Sequence, residues 1–497
     1  MKYTNPVIQA DYSDPDVIRV GDDFFMVASS FNHVPGVPVL HSKNLVQWRL
    51  VNYVFDEIPF AGYDKVKHGN GAWAPSIRYR DGRYYCLIPF PDEGIFVSET
   101  DDPFGEWSPL RPLLTGSGYE DPCPIWDNGR CYVVFAFAKS RAGFNSELAV
   151  FETDELLQRR AYSYKKVFDG HAVCPKIEGP KFLKRGGYYY ITAPCGGVTS
   201  GWQVALRSRD IYGPYESKVI LAQGDSDVNG PHQGALVDVD GANWAFVHFQ
   251  DMGAYGRVVH LQPVRWVAGW PLCGVTDGEI AGEPVTEGEY PVDCVTDFTL
   301  DPDDGFDGES LSLKWQTPAN KGLDWYSMRR GLRLNCIPYE SNSLGDMPNL
   351  FMQKIPYLNF TVKTKCRLDL INDGDETGFV MFGKSYAYIC VVRKNGRNYL
   401  EIRKGSVGGG ADETLCQSQP YDEPYVTFQL SARYEERNKL TYRFTFGGSA
   451  FTHKFYASRG AWTGAKMGIY ARSETFGGSA TFKFFRVTCT DGKYKNN

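Results

Sequence analysis

The chain has no CxxC pair among its twelve cysteines, no apolar run near membrane-span length, and no Lys/Arg run longer than a few residues. Each absence removes a class of function. A zinc site needs cysteines or histidines at ligand spacing, so zinc is not the organising feature. A membrane helix needs ~18 or more consecutive apolar residues, so no membrane partner is expected. Phosphate binding needs a basic footprint, and 53 basic against 59 acidic residues leave a net charge of −6, so no nucleic-acid partner is expected either. Cysteines such as Cys86 in YYCLIPF and Cys390 in YAYICVV sit in apolar runs and read as buried reduced thiols. The opening MKYTNPV lacks the apolar segment of a signal peptide. The location is therefore cytoplasmic as written, or periplasmic or secreted if a leader has been removed. Helical periodicity is nearly absent too; TDELLQRRAY (153–162) is the one candidate for a short helix.

Aromatic residues and glycine are plentiful: 31 Tyr, 31 Phe, 11 Trp and 52 Gly in 497 residues. That balance favours β structure. It also suits sugar binding, because aromatic faces stack on the apolar faces of sugar rings, although many β proteins are aromatic-rich for packing alone. The length predicts two or three domains.

One pattern recurs five times. It reads DPDVIRVGDDFFMV at 14–27, APSIRYRDGRYYCL at 74–87, DPCPIWDNGRCYVV at 121–134, EGPKFLKRGGYYYI at 178–191 and QGALVDVDGANWAF at 233–246. Each copy is a Pro/Gly-containing lead-in, a short apolar strand, a tight turn and an aromatic strand. The turns Gly21-Asp22, Asp81-Gly82, Asn128-Gly129, Gly186-Gly187 and Asp240-Gly241 are hairpin signals. The starts lie 60, 47, 57 and 55 residues apart, and each interval holds a second strand pair, such as those within 37–51, 94–107 and 203–215. Four strands per unit in five units predict a five-bladed β-propeller.

The first strand of a propeller blade lines the central axis, so position one of every copy faces the same funnel. Those positions are Asp14, Ala74, Asp121, Glu178 and Gln233. An Asp before Pro often only starts a turn. Three carboxylic acids at equivalent repeat positions are a different matter, because symmetry aims them at one spot. Asp11 and Asp16 read as turn or rim residues. Two carboxyl groups astride a glycosidic bond are the minimum for glycoside hydrolysis, and a third nearby raises the pKa of its neighbour by repulsion. A metal site is the rival reading of an acid cluster, but the DxDxDG spacing of a calcium loop is missing. LDPDDGFDGE (300–309) is acidic and reads as a solvated linker. His232 precedes the fifth axial position; such a histidine is usually a satisfied structural residue, and an axial one can also hold a cation through waters.

Taken together, NPVI, SDPDVIRVGDDFFMVASSF, GVPVLHSKNLVQW, AWAPSIRYRDGRYY, EDPCPIWDNGRCYVV, EGPKFLKRGGYYYI, GPHQGALV and GRVVHLQPVRWVAGWP, in this order over residues 5–271, resemble glycoside hydrolase family 43. The likeness is to its two-domain β-xylosidase/α-L-arabinofuranosidase branch, and GAWTGAKMGIYA (460–471) resembles that branch's C-terminal sandwich. The resemblance implies Asp14 as general base, Asp121 as pKa tuner and Glu178 as general acid. It implies Arg257 as a sugar-hydroxyl ligand that also touches the acid, and Phe31 and Trp73 as walls of the terminal subsite. It implies His232 as the axial histidine that, in some members, sits over a hydrated calcium; no cofactor is required. Residue 16 departs from the family, being Asp where Ser is frequent, and an acid there either shifts the base or caps a strand.

After Pro271 the blade pattern ends, and 272–295 is Gly/Pro/Glu-rich. Alternating strands resume near Asp297, with an Asn-Gly hairpin in KNGRN, and predict a β-sandwich. The expected fold is all-β: a propeller catalytic domain over 1–295 and a sandwich, concanavalin-like by resemblance, over 296–497. The sandwich reads as a carbohydrate-binding module from its own residues; by resemblance it packs on the propeller and lends a pocket-narrowing loop. The expected function is inverting, exo-acting release of terminal β-D-xylose, α-L-arabinofuranose or both from plant cell-wall oligosaccharides. Arabinan or fructan cleavage, or sugar binding without catalysis, are the alternatives. Fructan enzymes of this shape carry an Asn before the Asp-Pro, which YSDPD lacks. The partner is a xylo- or arabino-oligosaccharide, and a homo-oligomer stays open.

Overall fold

The computed structural model describes residues 1–490 apart from 279, 323–324, 340, 342, 409–412, 447–448 and 452. The expected sandwich segment 491–497 lies outside the described residues. Five four-stranded antiparallel sheets follow one another along the chain, each with its strands in sequence order. The first holds Asp16–Val20, Asp23–Val27, Gly36–Ser42 and Trp48–Phe55; the fifth holds His232–Asp238, Trp244–Asp251, Arg257–Val267 and Trp270–Cys273. These are the blades of the predicted propeller. The N-terminal segment fastens the last blade: Asn5 exchanges two hydrogen bonds with Leu261, and Ile8 bridges Val259.

The hairpin turns form where glycine or Asn/Asp tolerates positive φ. Asp81-Gly82 and Asn128-Gly129 both take left-handed conformations at the two loop positions. The fifth blade differs from expectation. Asp238 pairs with Trp244, so the loop is five residues long rather than two. Asp240 Oδ1 accepts from the backbone N–H groups of Ala242 and Asn243, an Asx turn that replaces the tight hairpin. The third strands start within one residue of the expected stretches, but the fourth strands are Arg111–Thr115 in the second blade and Glu216–Leu221 in the fourth, beyond the 94–107 and 203–215 stretches. TDELLQRRAY is not helical. Asp154 accepts from the N–H groups of Leu156, Gln158 and Arg159, and this local bonding competes with a helix and folds the segment as a turn. Among the described residues the one α-helix is Lys139–Ala142, and no helix is long and apolar enough to cross a membrane.

The second half packs two sheets face to face. One runs Leu350–Lys354, Lys466–Arg472, Glu376–Phe382, Ser385–Lys394, Arg397–Ser406 and Thr414–Pro420. The other centres on Phe360–Asp369 between Ser479–Cys489 and Tyr425–Glu435. Phe360–Asp369 alternates buried and exposed along its length, the period-two signature of a strand with one wet face. Asn395-Gly396 makes the predicted hairpin, with Lys394 opposite Arg397. The acidic stretch 300–309 is not a solvated linker: Asp304 bridges Phe485 and its Oδ2 accepts from Ser312 and the Trp315 indole, while Phe306 is buried in the sandwich core. That core continues into the propeller through Tyr255, whose hydroxyl donates to Leu358 O at 2.8 Å. Among the described residues no disulfide forms, and nine of the twelve cysteines are buried.

Candidate active site

All five repeat-equivalent positions, Asp14, Ala74, Asp121, Glu178 and Gln233, line one pocket of about 430 Å³. The backbone explains part of this convergence. Asp14 and Asp121 both have φ of +58°, a conformation Asp tolerates better than most residues and one that turns the carboxylate out of the strand direction. At the Glu178 copy the positive φ falls on Gly179 instead, also +58°. A side chain there would collide with Gln233 Cγ at 2.7 Å, so glycine is required.

The three acids have different surroundings. Asp14 Oδ2 accepts from the hydroxyls of Ser13 at 2.9 Å and Ser29 at 2.5 Å, and Arg257 Nη1 lies 3.2 Å from Oδ1. Asp121 Oδ2 accepts from the Gly179 N–H at 2.7 Å. Burial, then the charge of Asp14, pushes Asp121 up to about 6. Glu178 keeps a third of its side chain exposed to the pocket. Burial and then Asp121 push it up to about 8, against the opposing charge of Arg257. A carboxyl near 8 is protonated at neutral pH, which is the state a proton donor needs.

The pocket holds a fourth acid that sequence reasoning missed. Glu120 is buried, and burial followed by the charge of Asp121 holds its carboxyl well above the usual range. A regular strand would send Glu120 and Asp121 to opposite faces. The register shift between Glu120 and Cys123 is a bulge that lets both face the pocket. Two adjacent acids before a proline in an otherwise apolar strand were the available signal.

Phe31 and Trp73 line the pocket edge to face, with ring centroids 6.4 Å apart. Trp462, from the sandwich, continues the row 5.7 Å from Trp73. The pocket-narrowing loop is therefore GAWTG at 460–464. It is anchored by Asp11, which accepts from Gly464 N at 2.9 Å and Arg257 N at 2.8 Å. Asp11 is thus a buried clamp between propeller and sandwich, not a rim residue. Asp16 is fully buried as well, accepting from Ile77 N at 2.8 Å and Arg78 Nη1 at 2.6 Å, and it ties the first blade to the second. Arg257 donates to Ser13 and Asp14 rather than to Glu178, which feels it through charge. His232 is fully buried with Nε2 3.4 Å from Glu178 Oε1, and neither ring nitrogen has a hydrogen-bond partner among the described residues. Burial, then Arg257, pushes it down to about 3, so it is neutral.

A propeller whose axial pocket gathers three acids, one of them protonated at neutral pH, defines a glycosidase-type site. Family comparison agrees. Residues 3–271 match glycosyl hydrolases family 43, and 303–488 match the β-xylosidase C-terminal concanavalin A-like domain. The chain belongs to glycosyl hydrolases family 43 and is a glycosidase. A protein of Xylanibacter ruminicola whose name includes beta-xylosidase is 36% identical over 479 residues, covering 94% of this chain and 85% of its own. A non-reducing end α-L-arabinofuranosidase of Bacteroides ovatus is 28% identical, covering 98% and 95%. The structure of a xylan β-1,4-xylosidase from Bacillus halodurans superposes with a TM-score of 0.85 at 23% identity over 98% of this chain and 99% of its own.

Proposed function

We propose that this glycosidase removes single terminal pentoses, β-D-xylose or α-L-arabinofuranose, from the non-reducing ends of plant cell-wall oligosaccharides, with inversion at the anomeric carbon. The observation that carries this reading is the convergence of Asp14, Asp121 and Glu178 in one pocket closed on one side by Trp462. Glu178 gives its proton to the leaving oxygen as the C1–O bond breaks. Asp14 takes a proton from a water whose oxygen bonds to C1 from the opposite face. Asp121 keeps Glu178 protonated through its charge. Arg257 orients Asp14 and reaches a sugar hydroxyl, while Phe31 and Trp73 give the ring its apolar walls. The pentose reading draws support from the names of the two relatives. A division into a catalytic unit over 1–295 and a sandwich over 296–497 belongs to the same proposal. It is supported by the pairing of Glu287–Glu289 with Lys2–Thr4 and of Asp304 with Phe485.

The orphaned nitrogens of His232 fit a polar guest on the axis, either water or a hydrated cation. Among the described residues, the one cluster of three side chains able to ligate a metal directly is Glu147, Asp169 and His171, away from the axis. Calcium prefers oxygen ligands, so His232 would hold it through the water shell. Its positive charge would favour the carboxylate form of Glu178.

The test is hydrolysis of aryl β-xyloside and aryl α-L-arabinofuranoside, with the product anomer followed by NMR. Inversion is expected. Retention would exclude water activation by Asp14, and near wild-type turnover in Asp14→Ala or Glu178→Ala would overturn the assignment.

A further inference from the structure

A second chamber of about 300 Å³ adjoins the acid pocket, and the two share Val198, Arg257 and Trp462 as walls. Its other side is built by the sandwich. Four cationic side chains face it, Arg141, Arg257, Lys384 and Arg459, against one acid, Asp251. The charges are not fully spent on one another. Arg257 is engaged with Asp14, Arg141 with Asp92 and Arg459 with Asp251 at 3.2 Å each, while Lys384 makes no ion pair with any described residue. His68 adds no charge, because burial holds its imidazole below the usual range and its Nε2 faces Gly345 O at 2.7 Å. Lys384 is also held in place. Its N–H donates to Arg459 O at 2.9 Å, and the preceding Gly383 packs so closely that a Cβ would lie 2.0 Å from Ser458 O.

The position of the chamber matters as much as its charge. Arg257 touches Asp14 and lines the chamber too, so a glycan whose terminal ring sits among the acids extends its next sugar past Trp462 towards these cations. A neutral xylan or arabinan unit has no use for them. A carboxylate does, through charge-assisted hydrogen bonds. We propose that the chamber is a leaving-group subsite for a uronic acid, selecting pentose-terminated oligosaccharides whose penultimate sugar bears a hexuronate branch. This deepens the pentosidase reading above and rests on it.

The test compares two oligosaccharides that differ only in a hexuronate branch on the penultimate sugar. The wild-type protein is expected to favour the acidic one in kcat/KM by about two- to fivefold, the range of an exposed charge pair. Lys384→Gln should bring the ratio close to one, and Lys384→Glu should invert it. Arg459→Gln serves as a second variant that removes a different cation. High salt should compress the wild-type preference. A wild-type ratio of one or less, with aryl pentosides still hydrolysed, overturns the chamber proposal while leaving the pentosidase reading intact. Absence of aryl pentoside hydrolysis overturns that reading instead. Calorimetric titration of both oligosaccharides onto the wild-type protein then tests the chamber without turnover: tighter binding of the acidic one supports it, and equal affinity contradicts it.

Discussion

Two clusters of buried charge, one in each half of the molecule, are built on opposite rules. In the sandwich, Arg472 reaches Glu376 at 2.8 Å and Glu413 at 2.9 Å, and Glu401 sits between Lys394 and Arg403 at 2.7 Å each. Burial alone would raise Glu413 and Glu401, yet Arg472 holds the first, and Lys394 with Arg403 the second, below the ordinary range. On the propeller axis, Glu120, Asp121 and Glu178 are all pushed up, first by burial and then by a neighbouring acid, which is Asp121 for Glu120 and Glu178 and Asp14 for Asp121. Paired charges settle a fold into one arrangement. Like charges forced together store free energy, and that reservoir is what proton transfer at neutral pH requires.

The comparison can be broken from either side. The largest effect is expected on the axis: Asp14→Asn or Glu178→Gln should cut turnover by about 10²–10⁴-fold without loss of stability, checked by steady-state rates beside thermal unfolding. Next comes the sandwich. Arg472→Met leaves Glu376 and Glu413 as an uncompensated pair and should cost about 3–5 kcal/mol of stability in denaturant titration. Turnover per folded molecule should stay close to wild type. Trp462→Ala should raise KM for an oligosaccharide by about two- to tenfold with a smaller change in kcat, because it removes an aromatic wall and leaves the acids in place. The smallest effect is expected from Asp121→Asn on stability, a gain of about 0.5 kcal/mol, since a repelling charge is removed.

These two regions also differed in how far they could be read from sequence. The axis was legible because fivefold repetition assigns Asp14, Asp121 and Glu178 one structural position, so their convergence in one pocket follows from symmetry. Glu120 escaped because a bulge broke the alternation that the strand pattern implies. Asp11 and Asp16 read as turn or rim residues in the sequence because their partners, Gly464 and Arg78, are distant along the chain. Asp16 had a visible hint in Arg78, an unusual cation inside the next copy's strand. Trp462 and the Arg472 network carry no periodic signature, and GAWTG gains its role only where the sandwich meets the propeller. Local turn chemistry was legible where two residues suffice, as in Asn128-Gly129, and misleading where a side chain such as Asp240 rebuilt the loop.

The central claim, that Asp121 charge keeps Glu178 protonated, is tested most directly by the pH profile of kcat/KM in wild type and Asp121→Asn. Proton donation by Glu178 is present below its raised pKa and is lost as pH rises through it, so the wild-type profile should fall near pH 8. With residue 121 neutral, repulsion weakens, Glu178 ionises sooner, and the falling limb should move to lower pH. A limb that stays in place, or moves to higher pH, would contradict the account.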